Sequence, residues 1–286
     1  MMFFKTTENI TKILTSVNKN LPPHLREVLC GITSRRCGGL FLLLFIFFQN
    51  FAFAGVDFDG VDDWITVNDH ASLDITGSFT LAVWIYAKTG GLSGFMSIIT
   101  HGTTQEENYF LETDNDEINC GFYDQQSPGY ITFASTTANM VINTWYHIAC
   151  VFDVSADTGK VYLNGTQVWT TTGITQVPDA STTALDLGRA VWDSQYTTAI
   201  LSDARVYNRA LAPAEIEALA ASRLKYHSIT NGLVAYWPLD DQPDGTSGNG
   251  DTFRDRSGNA NHGTGDDGGN NTGLTARAET LLSYPP

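Results

Sequence analysis

Basic residues are scarce in this chain, 16 Lys and Arg against 31 Asp and Glu. Six of the 16 lie in the first 54 residues, so the remainder carries 10 basic and 29 acidic side chains, a formal charge of −19. So large an excess repels nucleic acid and anionic membrane surfaces and argues against both as partners. No apolar run reaches the roughly 20 residues of a membrane span. The densest, GLFLLLFIFF, covers residues 39–48. Cysteine is rare too: only Cys30, Cys37, Cys120 and Cys150. There is no G-x-S-x-G elbow, and His24, His70, His101, His147, His227 and His262 are scattered without zinc-ligand spacing. These absences argue against serine-hydrolase and zinc chemistry.

What the first 54 residues do hold is an ordered set of export features. Lys5, Lys12, Lys19, Arg26, Arg35 and Arg36 precede the apolar run, and Ala52-Phe53-Ala54 follows it. That order predicts a secretory signal cleaved after Ala54 and a secreted protein beginning at Gly55, with an uncleaved anchor as the alternative. Cys30 and Cys37 would leave with the signal. Cys120 and Cys150 would remain, either as one disulfide or as two buried thiols that never meet.

From Gly55 to about Tyr207 short β-branched and aromatic runs alternate with turn residues. Phe79-Thr80-Leu81-Ala82-Val83-Trp84-Ile85-Tyr86 and Tyr146-His147-Ile148-Ala149-Cys150-Val151-Phe152 are the clearest strands. Asn164-Gly165, with a strand pattern on each side, predicts a two-residue hairpin, because both positions tolerate positive φ. Many short strands at this spacing predict an all-β sandwich or barrel. One short helix is predicted near 212–222, opened by Pro213 and Glu215. The tail begins with the strand-like Gly232-Leu233-Val234-Ala235-Tyr236-Trp237. It then turns rich in Gly, Asn and Asp, a composition unable to build a core of its own.

Four stretches, in order, resemble a LamG-like jelly roll, the group related to pentraxins and legume lectins. They are Phe58-Asp59-Gly60-Val61-Asp62-Asp63-Trp64-Ile65, then Ser78 to Ile85, then Thr144-Trp145-Tyr146-His147-Ile148-Ala149 with Gly159 to Gly165, and last Ser202-Asp203-Ala204-Arg205-Val206-Tyr207-Asn208-Arg209-Ala210-Leu211. The resemblance implies a two-sheet antiparallel sandwich of the concanavalin A type over 55–222. It departs from the family at one point. The strand and SGN loop that open such domains are missing from the front and stand at the back, as Leu233 to Asp240 and Asp255 to Gly263. Residues 223–286 are therefore expected to complete a circularly permuted sandwich, the alternative being a second domain cut short. The resemblance also implies a calcium site drawn from Asp59, Asp62, Asp63, Asp203, Asp255 and Asn259, which carry the oxygens a hard cation takes. The plainer alternative is a set of turn and ion-pair residues.

Glu112-Thr113-Asp114-Asn115-Asp116-Glu117 has the spacing of a glycoside-hydrolase signature on this sandwich. Its intervening residues are polar, however, and predict a turn rather than a strand bearing two catalytic carboxylates. No catalytic residues are expected, and no enzyme. Sugars are gripped by aromatic faces on loops, for which Trp192, Tyr196, Tyr123 and Tyr130 are the candidates. The reading is a secreted, non-catalytic, calcium-assisted module binding carbohydrate or an extracellular glycoprotein. The alternative is a structural part of an extracellular or virion assembly, with a glycosidase third.

Overall fold

The computed structural model describes residues 53–103, 107–126, 129–133, 138–190, 195–221, 229–241, 247–269 and 274–279. In chain order the strands are β1 Phe53–Asp59, β2 Trp64–Val67, β3 Phe79–Ala87, β4 Phe95–His101, β5 Tyr109–Asp114, β6 Glu117–Asp124, β7 Gly129–Thr132, β8 Thr144–Asp153 and β9 Thr158–Leu163. They continue as β10 Thr166–Thr172, β11 Leu185–Leu187, β12 Arg189–Ala190, β13 Gln195–Tyr196, β14 Thr198–Tyr207, β15 Leu233–Trp237, β16 Thr252–Phe253, β17 Gly263–Asp266 and β18 Thr275–Glu279. Among the described residues one α-helix, α1 Pro213–Ala220, lies between β14 and β15 and ends two residues before the predicted 222.

Two antiparallel sheets stack into a concanavalin A-like sandwich. One runs β10-β9-β8-β3-β14-β1-β18, with β15 also paired to β14; the other runs β16-β17-β2-β11-β4-β5-β6-β7. Their facing sides make the core. Phe79, Leu81, Val83, Ile148, Cys150 and Phe152 come from the first, and Ile65, Tyr109, Leu111, Ile118, Cys120 and Phe122 from the second. Every other residue along β3, β5 and β8 faces inward because side chains alternate along a strand. Cys120 of β6 and Cys150 of β8 form a disulfide that ties one sheet to the other, with Cα atoms 6.2 Å apart. Asn164 and Gly165 turn β9 into β10 with φ of 50° and 81°, both left-handed. The helix covers the outer side of the first sheet, where Leu211, Ile216 and Leu219 pack on Ala82, Ala149, Val151, Tyr162 and Tyr207. At its first turn Glu215 accepts a hydrogen bond from the Ala212 amide at 2.9 Å and pairs with Arg209.

The edge of β14 not used by β3 is divided between the front and the back of the chain. Its first half pairs with β1, from Val56↔Leu201 to Asp59↔Thr198. Its second half pairs with β15, from Ala204↔Trp237 to Tyr207↔Leu233. A bulge at Ser202–Arg205, with Asp203 at φ 57°, separates the two halves. The tail joins the other sheet as well, through Gly263↔Val67 to Asp266↔Trp64. β1 itself starts at Phe53, two residues ahead of the cleavage point predicted after Ala54. The rest of that predicted signal, residues 1–52, lies outside the described residues. Among the described residues no helix is long and apolar enough to cross a membrane.

Candidate functional site

The loop between β1 and β2 gathers carboxylates at the sheet edge. Asp59, Asp62 and Asp63 bring one oxygen each within 4.8 Å of one another. Two oxygens on opposite sides of a calcium ion, each about 2.4 Å from it, stand about that far apart. The loop is shaped by its own backbone. Asp63 Oδ2 accepts the Asp59 amide at 2.7 Å, and Asp59 Oδ1 accepts the Val61 amide at 2.7 Å. Asp63 Oδ1 is buried and accepts no hydrogen bond from the described residues.

A fourth carboxylate arrives from the tail. Because β17 pairs beside β2, the turn after it, Asp267-Gly268-Gly269, lies against this loop. A Cβ on Gly268 would fall 2.6 Å from Asp62 Oδ2. Asp267 is fully buried; one oxygen takes the Gly269 amide at 3.0 Å, and Oδ2 takes nothing from the described residues. Burial pushes the Asp63 carboxyl up to about 7. The bond from the Asp59 amide opposes that rise, and the charges of Asp59, Asp62 and Asp267 add to it. Buried carboxylates crowded together with open lone pairs are costly unless a cation joins them. The oxygens of Asp59, Asp62 and Asp63 fit a hard divalent cation, with the Asp267 charge close by.

Three residues expected at that site are not brought to it. Asp203 is buried in an ion pair with Arg205 at 2.8 Å, and the Arg205 guanidinium lies 4.0 Å over the Tyr236 ring of β15. Asp255 is saturated with donors. It takes the amides of Tyr236, Ser257 and Asn261 at 2.9, 2.8 and 2.9 Å and the Ser257 hydroxyl at 2.8 Å. Asn259 donates to the Val234 carbonyl at 2.9 Å. The SGN loop holds β15 in place from the Val67 end of β2, whereas Asp62 and Asp63 precede the Trp64 end. Asp267 stands where the SGN residues were expected. The acidic turn Asp266-Asp267-Gly268-Gly269 was its only trace in the sequence.

The outer face of the second sheet carries a cavity of about 410 Å³. Among the described residues it is lined by Phe95, Phe110, Glu112, Asn119, Tyr130 and Thr132 from β4 to β7, together with Glu107 and Gln195. Glu112 and Asn119 are cross-strand partners and share that face. Gly121 makes room for the Phe110 ring, since a Cβ there would fall 2.6 Å from Phe110 Cζ. Gln195 is carried on the β12–β13 hairpin, anchored to β4 by the Thr197 hydroxyl, which donates to the Ser97 carbonyl at 2.7 Å. Glu107 is fixed by its carbonyl, which takes the Tyr123 amide at 2.8 Å.

Of the predicted sugar-binding aromatics, Tyr130 is 45% exposed and lies in this cavity. Tyr123 is buried behind it with ring centroids 5.2 Å apart. Tyr196 is turned toward Trp64, 6.1 Å away, and Trp192 lies outside the described residues. Glu107 gave no sign in the sequence. β5 ends at Asp114 and β6 begins at Glu117, with Asn115 left-handed between them. Glu112 and Glu117 therefore sit on different strands. A second hollow, beside the SGN loop, is lined by Ala71, Ser72, Ile75, Asn208 and Val234 and offers no aromatic face.

A family model described as the concanavalin A-like lectin/glucanases superfamily matches residues 59–217. Among solved structures, a proposed carbohydrate binding protein from Bacteroides ovatus is similar to the chain at 19% identity and a TM-score of 0.58. That likeness covers 81% of this chain, which spans about 61% of the length of the Bacteroides protein. A heptameric SAP-like pentraxin from Limulus polyphemus is similar at 14% identity and a TM-score of 0.55, over 82% of this chain and 99% of its own. At these identities the likeness shows the fold. No curated protein sequence matches the chain significantly.

Proposed function

The chain belongs to the concanavalin A-like lectin/glucanases superfamily, and we propose that it is a non-catalytic carbohydrate-binding module of an exported protein, stiffened by calcium. The observation that carries this reading is the cavity on the outer sheet face. It combines aromatic rings, Phe95, Phe110 and Tyr130, with planar polar groups, Asn119 and Gln195. Sugars present apolar C–H faces and rings of hydroxyls, and that pairing of surfaces receives both.

Calcium is supported by the donor set of Asp59, Asp62 and Asp63, which would hold it, with Asp267 from the tail beside them. Bound there, the ion neutralises the crowd of carboxylates and clamps the tail to the β1–β2 loop. The non-catalytic reading is supported by the hairpin at Asn115, which leaves Glu117 outside the cavity lining. Export is supported by the basic, apolar and small-residue order before Gly55 and by the disulfide across the core. The tail is read as the opening part of the same sandwich, moved to the back of the chain. Its support is the pairing of β15 with β14 and of β17 with β2.

A glycan array probed with the full chain, with calcium and with EDTA, tests this function. Retention of a defined glycan set is expected, weakened about tenfold in Tyr130→Ala, which loses one stacking face. No retained glycan, with stable self-association instead, would favour an assembly role. Turnover of a bound glycan that is lost in Glu112→Gln would sink the non-catalytic reading.

A further inference from the structure

The lining of the cavity restricts which sugar it can take. Among the described residues it presents two carboxyl side chains, Glu107 and Glu112, and no lysine or arginine. The cation on the adjoining hairpin, Arg189, is already held by Asp186 at 2.8 and 3.0 Å and lies 3.9 Å over the Trp64 ring. Glu112 Oε1 accepts a hydrogen bond from the Ser97 hydroxyl at 3.2 Å. Glu107 is only 2% exposed, and its Oε2 is buried with no hydrogen-bond donor among the described residues. A desolvated acceptor of this kind in a cavity lining is satisfied by a donor on the ligand.

The ligand groups of sugars differ in how well they meet this demand. A hydroxyl supplies one donor and no charge. A carboxylate or sulfate supplies acceptors only, and meets two like-charged groups with no cation among them. A protonated amine supplies three donors and a positive charge, and it is also drawn to aromatic faces such as those of Tyr130 and Phe110. Resting on the carbohydrate-binding reading above, we propose that this cavity selects glycans carrying a free, protonated amine, as de-N-acetylated hexosamines do, and turns acidic sugars away.

The electrostatics support the geometry. Burial pushes the Glu107 carboxyl up to about 7, against a hydrogen bond with Tyr130 that draws it down. The titratable groups facing it from the cavity are Glu112 of β5 and Tyr130 of β7; β4, β6 and β13 contribute Phe95, Asn119 and Gln195. Below pH 7 the carboxyl is largely protonated and neutral. An ammonium group stabilises the ionised form, so binding releases a proton. Affinity therefore rises as pH climbs through 7, until the amine loses its own charge.

Titration calorimetry on the full chain decides the matter, with glucosamine tetramer, N-acetylglucosamine tetramer, galacturonic acid tetramer and spermidine as probes. At pH 7 the glucosamine tetramer is expected to bind about tenfold more tightly than the acetylated one, a gap of one charge-assisted contact. The gap should shrink at pH 5.5. Glu107→Gln should remove it by weakening the glucosamine tetramer, with a melting midpoint no lower than that of the wild type. Glu112→Gln should halve it on a logarithmic scale, and it serves if the first variant fails to fold. Equal binding of both neutral-pH tetramers, or a preference for the acidic one, overturns the amine selectivity and leaves carbohydrate binding standing. Spermidine bound with no tetramer bound overturns carbohydrate binding and leaves the amine preference. Absence of binding by any amine probe overturns the inference outright.

Discussion

The tail makes two Asp-rich turns, one before β17 and one after it, and they treat their carboxylates in opposite ways. In the turn before, Asp255 takes four donors, three of them backbone amides, and is finished by the protein itself. In the turn after, Asp267 takes one amide, keeps Oδ2 open and adds its charge beside Asp63. Residue type and burial are the same at both positions: Asp255 is 6% exposed and Asp267 0%. What differs is the supply of N–H groups. A turn whose amides converge on a carboxylate uses it as a staple, while a turn whose amides point elsewhere leaves it for an outside cation.

The largest test removes both turns. Ending the chain after Ser228 strips away Val234, Tyr236, Trp237, Leu239, Phe253 and Leu274, all buried. At about 1.5–3 kcal/mol each, the loss is on the order of 10 kcal/mol, as much as the whole stability of an ordinary domain. It also bares the Ala204–Tyr207 edge of β14 to self-pairing. The truncated chain is expected to aggregate. Equal solubility and equal urea midpoints for the two lengths would mean that the tail is an independent piece.

A narrower cut separates the turns. Asp255→Ala leaves the buried amides of Tyr236 and Asn261 without acceptors, at a cost of about 3 kcal/mol in urea unfolding. It should leave the response to calcium intact. Loss of that response in Asp255→Ala would merge the two turns into one site and break the comparison.

Calcium itself comes next in size. Added to EDTA-treated protein at about a hundred times its Kd, it should stabilise the fold by roughly 2.7 kcal/mol. For a chain of this size that raises the melting midpoint by about 5–10 °C. Asp63→Asn should abolish most of the rise. A melting curve indifferent to both calcium and EDTA would remove the cation.

Much of this molecule could be read along the chain, because strand alternation and turn chemistry are local. Phe79 to Tyr86 shows its two faces in the sequence, and Asn164-Gly165 announces its hairpin. The cluster of Asp59, Asp62 and Asp63 is local too. Asp267 was illegible because it reaches Asp62 only through the register of β17 on β2, which no local pattern sets. Glu107 was illegible for the same reason: its burial depends on Tyr123 and Tyr130, which β6 and β7 bring alongside. Asp203 pairs with Arg205, two residues along, as the plainer ion-pair reading of the sequence allowed, whereas the Tyr236 amide that Asp255 takes becomes its neighbour only through the fold.

The smallest effect gives the sharpest version of the comparison. Asp267→Asn keeps the shape and the acceptor for the Gly269 amide, and it takes one charge away from three neighbouring carboxylates. In EDTA that relief should stabilise the protein by about 1 kcal/mol, or 2–4 °C in the melting midpoint. With calcium present the order should invert, because the variant has given up a charged ligand. The same exchange at Asp255 should destabilise in both conditions, since there the charge strengthens hydrogen bonds from backbone amides. Four melting curves per site decide it: wild type and variant, each with calcium and with EDTA. If Asp267→Asn were destabilising in EDTA as well, Asp267 would be a staple like Asp255, and the open oxygen at Oδ2 would have a structural role of its own.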